Sequence, residues 1–279
     1  MLAYLAGRYG HSSRTEWRER LEAGEVLLDG KPAPAHAILK GGQWLVWRRP
    51  PWDEPDVPLA FSILHEDRDI LAVAKPRGLP TLPAGGFLEH TLLALVRKSR
   101  PEAVPVHRLG RGTSGVVLFA RTASARSALC AALRRSELAK TYRALAEGVP
   151  PSRDFVIDTR IGPVFHPKLK TVHAACPGGK PAVSRVKVLE PRAGTSLLEV
   201  RIETGRPHQI RIHLAAAGYP LVGDPLYAAG GGIKDFEKLP GDAGYLLHAL
   251  RLRFRHPATG SDFEVECPPP PELEVQKNC

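Results

Sequence analysis

Residues 106–120 read Val106-His107-Arg108-Leu109-Gly110-Arg111-Gly112-Thr113-Ser114-Gly115-Val116-Val117-Leu118-Phe119-Ala120. The middle is a glycine loop and the end a buried-type apolar run. Three nucleotide-binding readings suggest themselves, and context removes each. Gly110 to Gly115 satisfies G-x-G-x-x-G, but a dinucleotide fingerprint follows a strand and opens a helix whose amides meet the pyrophosphate. Here the loop opens a strand. With Val117 the run also fits the kinase loop G-x-G-x-x-G-x-V, yet the strand lysine, H-R-D and D-F-G elements do not follow in order. A Walker loop places lysine after its last glycine, where this chain has Val116. The loop belongs to a different kind of fold.

Working outward, Ala123 to Arg135 reads as a helix with an apolar stripe. Upstream, Phe61–His65 and Ile70–Lys75 are short strands flanking Glu66-Asp67-Arg68-Asp69, a tight-turn composition. Ser196 to Ile202 and Leu250 to Arg255 alternate apolar and polar residues, as antiparallel strands with one covered face do. Strands outnumber helices, and no strand–helix alternation at βαβ spacing persists. The predicted fold class is α+β, with a mixed, mostly antiparallel sheet over residues 59–270. Ahead of it, Thr15–Ala23 predicts a helix capped by Ser13 or Thr15 and stopped by Gly24. Glu25–Lys31 then predicts a strand ending in the Asp29-Gly30 turn, with a second strand at Gln43–Trp47. Residues 1–50 are thus a small helix-plus-hairpin module, with Arg14, Arg18 and Arg20 on its helix. Residues 51–58, rich in proline, are a stiff linker, and 271–279 an extended tail.

The chain has 279 residues, 43% hydrophobic, which is enough for a packed core. Its net charge of +10 points to a polyanionic partner, because clustered Lys and Arg gain affinity by releasing counterions from phosphates. The arginines of the N-terminal helix would equally make an ordinary solvated face. Four cysteines, Cys130, Cys176, Cys267 and Cys279, are scattered without C-x-x-C pairs, which speaks against a disulfide framework or a structural zinc site. The first residues lack a signal peptide's apolar core, and no apolar run is long enough to span a bilayer. The expectation is a monomeric cytoplasmic protein with no membrane or metal partner.

A more specific match lies around the loop. Val106 to Gly115, followed by an apolar strand, resembles the H-R-L-D-x-x-T-S-G motif of RluA-type RNA pseudouridine synthases. Leu64 to Pro80 resembles that family's opening hairpin and K-P-x-G turn, and Lys140-Thr141-Tyr142-Arg143-Ala144 its K-x-Y-x-A strand. Thr204 to Leu214 resembles T-G-R-x-H-Q-I-R-x-H-L. Gly223–Tyr227, Leu247-His248-Ala249 and His256–Gly260 complete the order. The resemblance covers about residues 60–270 and implies a sheet of pseudouridine synthase type with a central RNA-binding cleft. It also implies isomerisation of uridine to pseudouridine in structured RNA (ribosomal or transfer), without cofactor or metal. The N-terminal module is loosely similar to the small RNA-binding unit that many members carry.

The resemblance places catalysis at Tyr142, Arg206 and the position of Gly110, where the family has a nucleophilic aspartate. Tyr142 would stack on the uracil and take the C5 proton; alone it would be a buried strand tyrosine. Arg206 would hold the carboxylate ionised; alone it would be a surface salt-bridge partner. His107, Arg108, Arg111, Lys140, His208 and Arg211, with Arg14 and Arg18 of the module, would order the cleft or meet RNA. His213 and His248 are expected to be satisfied core histidines. Gly110 has no side chain, and no acidic residue lies between Glu102 and Glu137 to replace it. Asp67 and Asp69 belong to a turn, and Asp224 to its own motif. An RNA isomerase with an altered site and a catalytically impaired RNA binder both stay open on this reading. The retained Tyr142 and Arg206 favour the first.

Overall fold

The computed structural model describes residues 1–234 and 244–276, and it divides the chain into two units, Met1–Asp53 and Glu54–Cys279. In the first unit α1 (Leu2–Arg8) and α2 (Arg14–Glu22) precede β1 (Val26–Leu28), β2 (Lys31–Pro32) and β3 (Leu45–Trp47), ordered β2-β1-β3. Ser13 and Glu16 form a reciprocal cap: each side chain accepts from the other's backbone N–H, at 3.2 and 2.6 Å. Asp29 and Gly30 both take positive φ, so the β1–β2 hairpin closes in two residues. Leu2, Leu5, Trp17, Leu21 and Val26 form the core. Arg20 lies over the rings of Trp17 and Trp47, at 4.8 and 4.3 Å, while Arg14 and Arg18 are exposed.

The second unit is built on one mixed sheet whose main path runs β4-β5-β7-β14-β8-β13-β12-β9. Its strands are β4 (Ser62–Glu66), β5 (Ile70–Lys75), β7 (Ser114–Ala120), β8 (Ala139–Glu147), β9 (Asp154–Ile157), β12 (Ser184–Arg192), β13 (Thr195–Ile202) and β14 (Leu247–Arg255). The short β6 (Val104–Pro105) adds to β7, and β15 (Asp262–Glu266) to β14. Among the described pairings of this sheet, only β7–β14 is parallel. The expected mixed, mostly antiparallel sheet is therefore present. A separate hairpin, β10 (Ile161–His166) and β11 (Lys170–Ala175), stands off it.

Alternation along the strands makes two cores. Leu71, Val73, Val117, Phe119, Tyr142, Ala144, Leu198 and Val200 face one side, covered by Leu92 and Val96 of α3 (Leu92–Arg97) and Ile210 and Leu214 of α5 (Gln209–Ala216). Ile70, Ala72, Val116, Leu118 and Ala120 face the other, covered by Ala125 and Leu129 of α4 (Ala123–Arg134). Covered on both faces, β5 and β7 read as continuous apolar runs. Tyr142 thus lies on the α5 side of the sheet.

Two expectations about the ends of this unit change. Within the stretch expected to be a linker, Glu54 accepts from the backbone N–H groups of Leu88, Glu89 and His90 at 2.7–2.9 Å, which ties it into the second unit. The expected extended tail is docked as far as it is described. Pro271–Leu273 make a 3-10 turn, Leu273 is buried, and Arg192 donates to the carbonyls of Glu272 and Glu274. Residues 277–279 of that tail, including Cys279, lie outside the described residues.

Candidate active site

The glycine loop is pinned from both flanks. On one side, Thr81 Oγ1 donates to the Leu109 carbonyl at 2.9 Å and accepts from the Leu109 N–H at 3.2 Å. On the other, the Gly78 N–H and Lys75 Nζ both donate to the Arg111 carbonyl, at 2.8 and 3.3 Å. Lys75 is buried and also donates to the carbonyls of Pro76 and Leu79, at 2.9 and 2.7 Å. Burial pulls its pKa down to about 7, and three carbonyls engage its three donors. The K-P-x-G turn is thus the clamp that holds Gly110 over the sheet.

A pocket opens there, lined by Arg108, Gly110, Thr113, Tyr142, Arg206, His208, Arg211 and Tyr245 among others. Tyr142 comes from β8, in register with Ala249 of β14 and Val200 of β13, so its ring stands at the middle of the sheet. It is 8% exposed, burial pushes its phenol up to about 12, and its hydroxyl has no hydrogen-bond partner among the described residues.

The two arginines of T-G-R-x-H-Q-I-R both line this pocket but differ in burial and partners. Arg206 precedes α5, is half-buried, and its Nε donates to the Pro181 carbonyl at 3.0 Å. Arg211, inside α5, is the desolvated cation. Its Nε and Nη2 reach the two carboxylate oxygens of Asp224, both at 2.7 Å, and its guanidinium lies 4.2 Å from the ring centre of Tyr245. The buried guanidinium thus has its own carboxylate, which offsets the cost of taking it out of water. Asp224 also accepts from the N–H groups of Leu226 and Tyr227, at 2.9 and 3.0 Å. Burial alone would raise its pKa, but the Arg211 hydrogen bonds and charge hold it below the usual carboxylate range.

The histidines expected to meet RNA are neutral. His107 Nε2 accepts from the Leu118 N–H at 3.2 Å, and burial, then the Lys140 ammonium, hold its pKa at about 3. The Tyr227 hydroxyl donates to the His173 carbonyl, so it accepts from His208 Nδ1 at 2.9 Å, which leaves His208 Nε2 unprotonated. Burial, then Arg211, depress His208 to about 4. The unfolded chain protonates both near about pH 6.5. Between those values it binds more protons than the folded chain, so stability falls as pH drops from about 6.5 toward about 4. Thermal melts at about pH 7 and about pH 5 check the sign. A higher melting point in acid contradicts it.

His213 and His248 each have both ring nitrogens engaged. His213 pairs with Ser184 and the Thr159 carbonyl, and His248 with Ser114 and the Cys267 carbonyl. Arg108 is exposed at the pocket rim with no ion pair among the described residues. Lys140 is half-buried, and burial lowers its pKa. Arg111 lies 5.4 Å from the ring centre of Phe87. Arg14 and Arg18 belong to the N-terminal unit. Sequence patterns did not single out Tyr245, Thr113 or the Arg211–Asp224 pairing. Nothing local marks Tyr245, which is 135 positions from Gly110 in the chain, and only the 13-residue spacing of Arg211 and Asp224 could have hinted at that pair.

One pocket thus brings together a phenol, a buried guanidinium and further cations. Residues 69–216 match the family model described as RNA pseudouridylate synthase. The chain is 43% identical to an uncharacterized RNA pseudouridine synthase of Synechocystis, over 98% of this chain and 95% of that one. It is 38% identical to the ribosomal large subunit pseudouridine synthase D of Neisseria meningitidis, covering 98% of this chain and 75% of the relative. Among solved structures it is similar to human RNA pseudouridylate synthase domain containing 1, with TM-score 0.62 and 26% identity over 80% of this chain and 89% of that one. The chain belongs to the RNA pseudouridine synthase family.

Proposed function

We propose that the protein isomerises uridine to pseudouridine within structured RNA, acting as a monomer in the cytoplasm. The carrying observation is Tyr142: an aromatic face at mid-sheet whose hydroxyl has no partner among the described residues, lining one pocket with Arg211 inside the family fold. The reaction breaks the bond from C1′ to N1, turns the base and forms a bond from C1′ to C5. The C5 proton leaves and N1 gains one, so the exchange is redox-neutral and needs no electron carrier. The target must leave its stack to reach this pocket. Tyr142 stacks on the extruded uracil and, as a neutral phenol, relays the C5 proton by accepting one while giving its own. Arg108, Arg206 and Lys140 supply positive charge around the pocket for the flanking phosphates, and Arg14 and Arg18 give the N-terminal unit a second grip. No helix of the described residues is long and apolar enough to cross a membrane.

Likeness to a ribosomal large subunit synthase supports ribosomal RNA as the first substrate to test, with transfer RNA second. RNA from cells lacking the gene would be mapped for pseudouridine at single-site resolution. The expected result is loss of a defined site, restored by wild type but not by Tyr142→Phe. In vitro that variant is expected to lose at least about 100-fold in turnover. If no site changes while crosslinking still recovers bound RNA, the protein is an RNA binder and not an isomerase.

A further inference from the structure

Gly110 and Tyr245 share one space. Gly110 is not among the residues with positive φ, so its turn accepts any side chain. What excludes one is the phenol: a Cβ on Gly110 would stand 2.9 Å from Tyr245 Oη and 3.7 Å from Thr113 Oγ1. Tyr245 is 2% exposed, its ring is held against the Arg211 guanidinium, and its hydroxyl lies 3.2 Å from Thr113 Oγ1. Among the described residues lining this pocket there is no carboxylate. The nearby Asp224 is already engaged by Arg211 and two backbone N–H groups. The polar groups nearest the position of a Gly110 side chain are therefore two hydroxyls.

We propose that Tyr245 is a substrate-contacting residue, whose hydroxyl, paired with Thr113, stands where a side chain at position 110 would otherwise reach and hydrogen-bonds a ribose hydroxyl of the target nucleotide. A phenol and a threonine hydroxyl each donate and accept, as a ribose hydroxyl does, so the three can close a hydrogen-bonded chain. The absence of a side chain at Gly110 is then the condition for the phenol's presence. This assignment rests on the isomerase reading above.

Single-turnover rates and RNA affinities of wild type, Tyr245→Phe, Gly110→Ala and the double variant Gly110→Asp/Tyr245→Phe test it. Tyr245→Phe is expected to slow turnover at least about tenfold, the scale of a lost hydrogen bond at a reacting centre, with RNA affinity nearly unchanged. Gly110→Ala is expected to slow it too, although it removes no functional group, and it keeps the test open should the phenylalanine variant fold poorly. The double variant, in which a carboxylate gains the space of the lost hydroxyl, is expected to be faster than Tyr245→Phe alone. Wild-type turnover in Tyr245→Phe overturns the assignment while leaving the isomerase reading intact, and a double variant no faster than Tyr245→Phe overturns the shared space. A wild-type protein that forms no pseudouridine overturns the isomerase reading and this assignment with it.

Discussion

Asp224→Asn is expected to lower the stability of the synthase unit by about 3–5 kcal/mol. The substitution keeps the side chain's size but removes its charge and exchanges one acceptor oxygen for an amide donor, so the loss reports the ion pair with its hydrogen bonds and not a cavity. Arg211 and Asp224 are 3% and 0% exposed, and the double hydrogen bond between them sets a carboxylate charge directly against the guanidinium. Coulomb attraction in such a setting offsets a large desolvation cost, and deleting one partner leaves the other's cost standing. The same change releases two N–H groups, of Leu226 and Tyr227, from a charged acceptor to a weaker one. Urea midpoints of wild type and variant give the number. Arg211→Met/Asp224→Leu should recover part of it, because an apolar pair of similar volume carries no desolvation cost. A midpoint close to wild type for Asp224→Asn would show that water or a rearranged partner already screens Arg211. Because the Asp224 pKa is lowered on folding, its contribution is present above about pH 4 and fades as pH falls through the folded value.

Gly115→Ala is expected to cost a similar amount, about 3–5 kcal/mol, for a purely steric reason. Gly115 has φ +110°, a conformation in which side chains are strained, and an added Cβ would lie 2.2 Å from the Ala249 carbonyl oxygen. Unlike the Tyr245 hydroxyl beside Gly110, that oxygen is backbone and cannot swing aside. The clash falls on the parallel β7–β14 pairing, where Gly115 and Ala249 are partners and Ser114 Oγ bonds His248 Nδ1. Separating those strands also displaces the loop that carries Gly110. The expected readout is a lower melting temperature together with slower turnover. Gly110→Ala, by contrast, should melt close to wild type. If Gly115→Ala melts like Gly110→Ala, the strands part more easily than this contact implies.

Much of this protein is legible in local chemistry alone. Asp29-Gly30 dictates a two-residue hairpin because both positions reach positive φ cheaply, and Ser13 with Glu16 marks a helix start because their side chains satisfy orphan N–H groups three residues apart. The continuous apolar runs of β5 and β7 announce strands covered on both faces. The helix Leu2–Arg8 is not legible: at seven residues, with Gly7 inside, it is short for an isolated helix, and Leu2 and Leu5 packed in the module core hold it.

The order of motifs along the chain is enough to assign the family and the sheet, because each motif is a local pattern that keeps its meaning wherever the chain goes. Which arginine of the T-G-R-x-H-Q-I-R run is desolvated is decided only by α5, which starts after Arg206 and carries Arg211 inward to Asp224. The sense of Gly110 is likewise decided in three dimensions. In the sequence it is an absent side chain; in the fold it is room for the hydroxyl of Tyr245, which arrives from far along the chain. Spacing carries torsional preference and periodicity, but volume and charge compensation between distant segments exist only once the sheet brings them together.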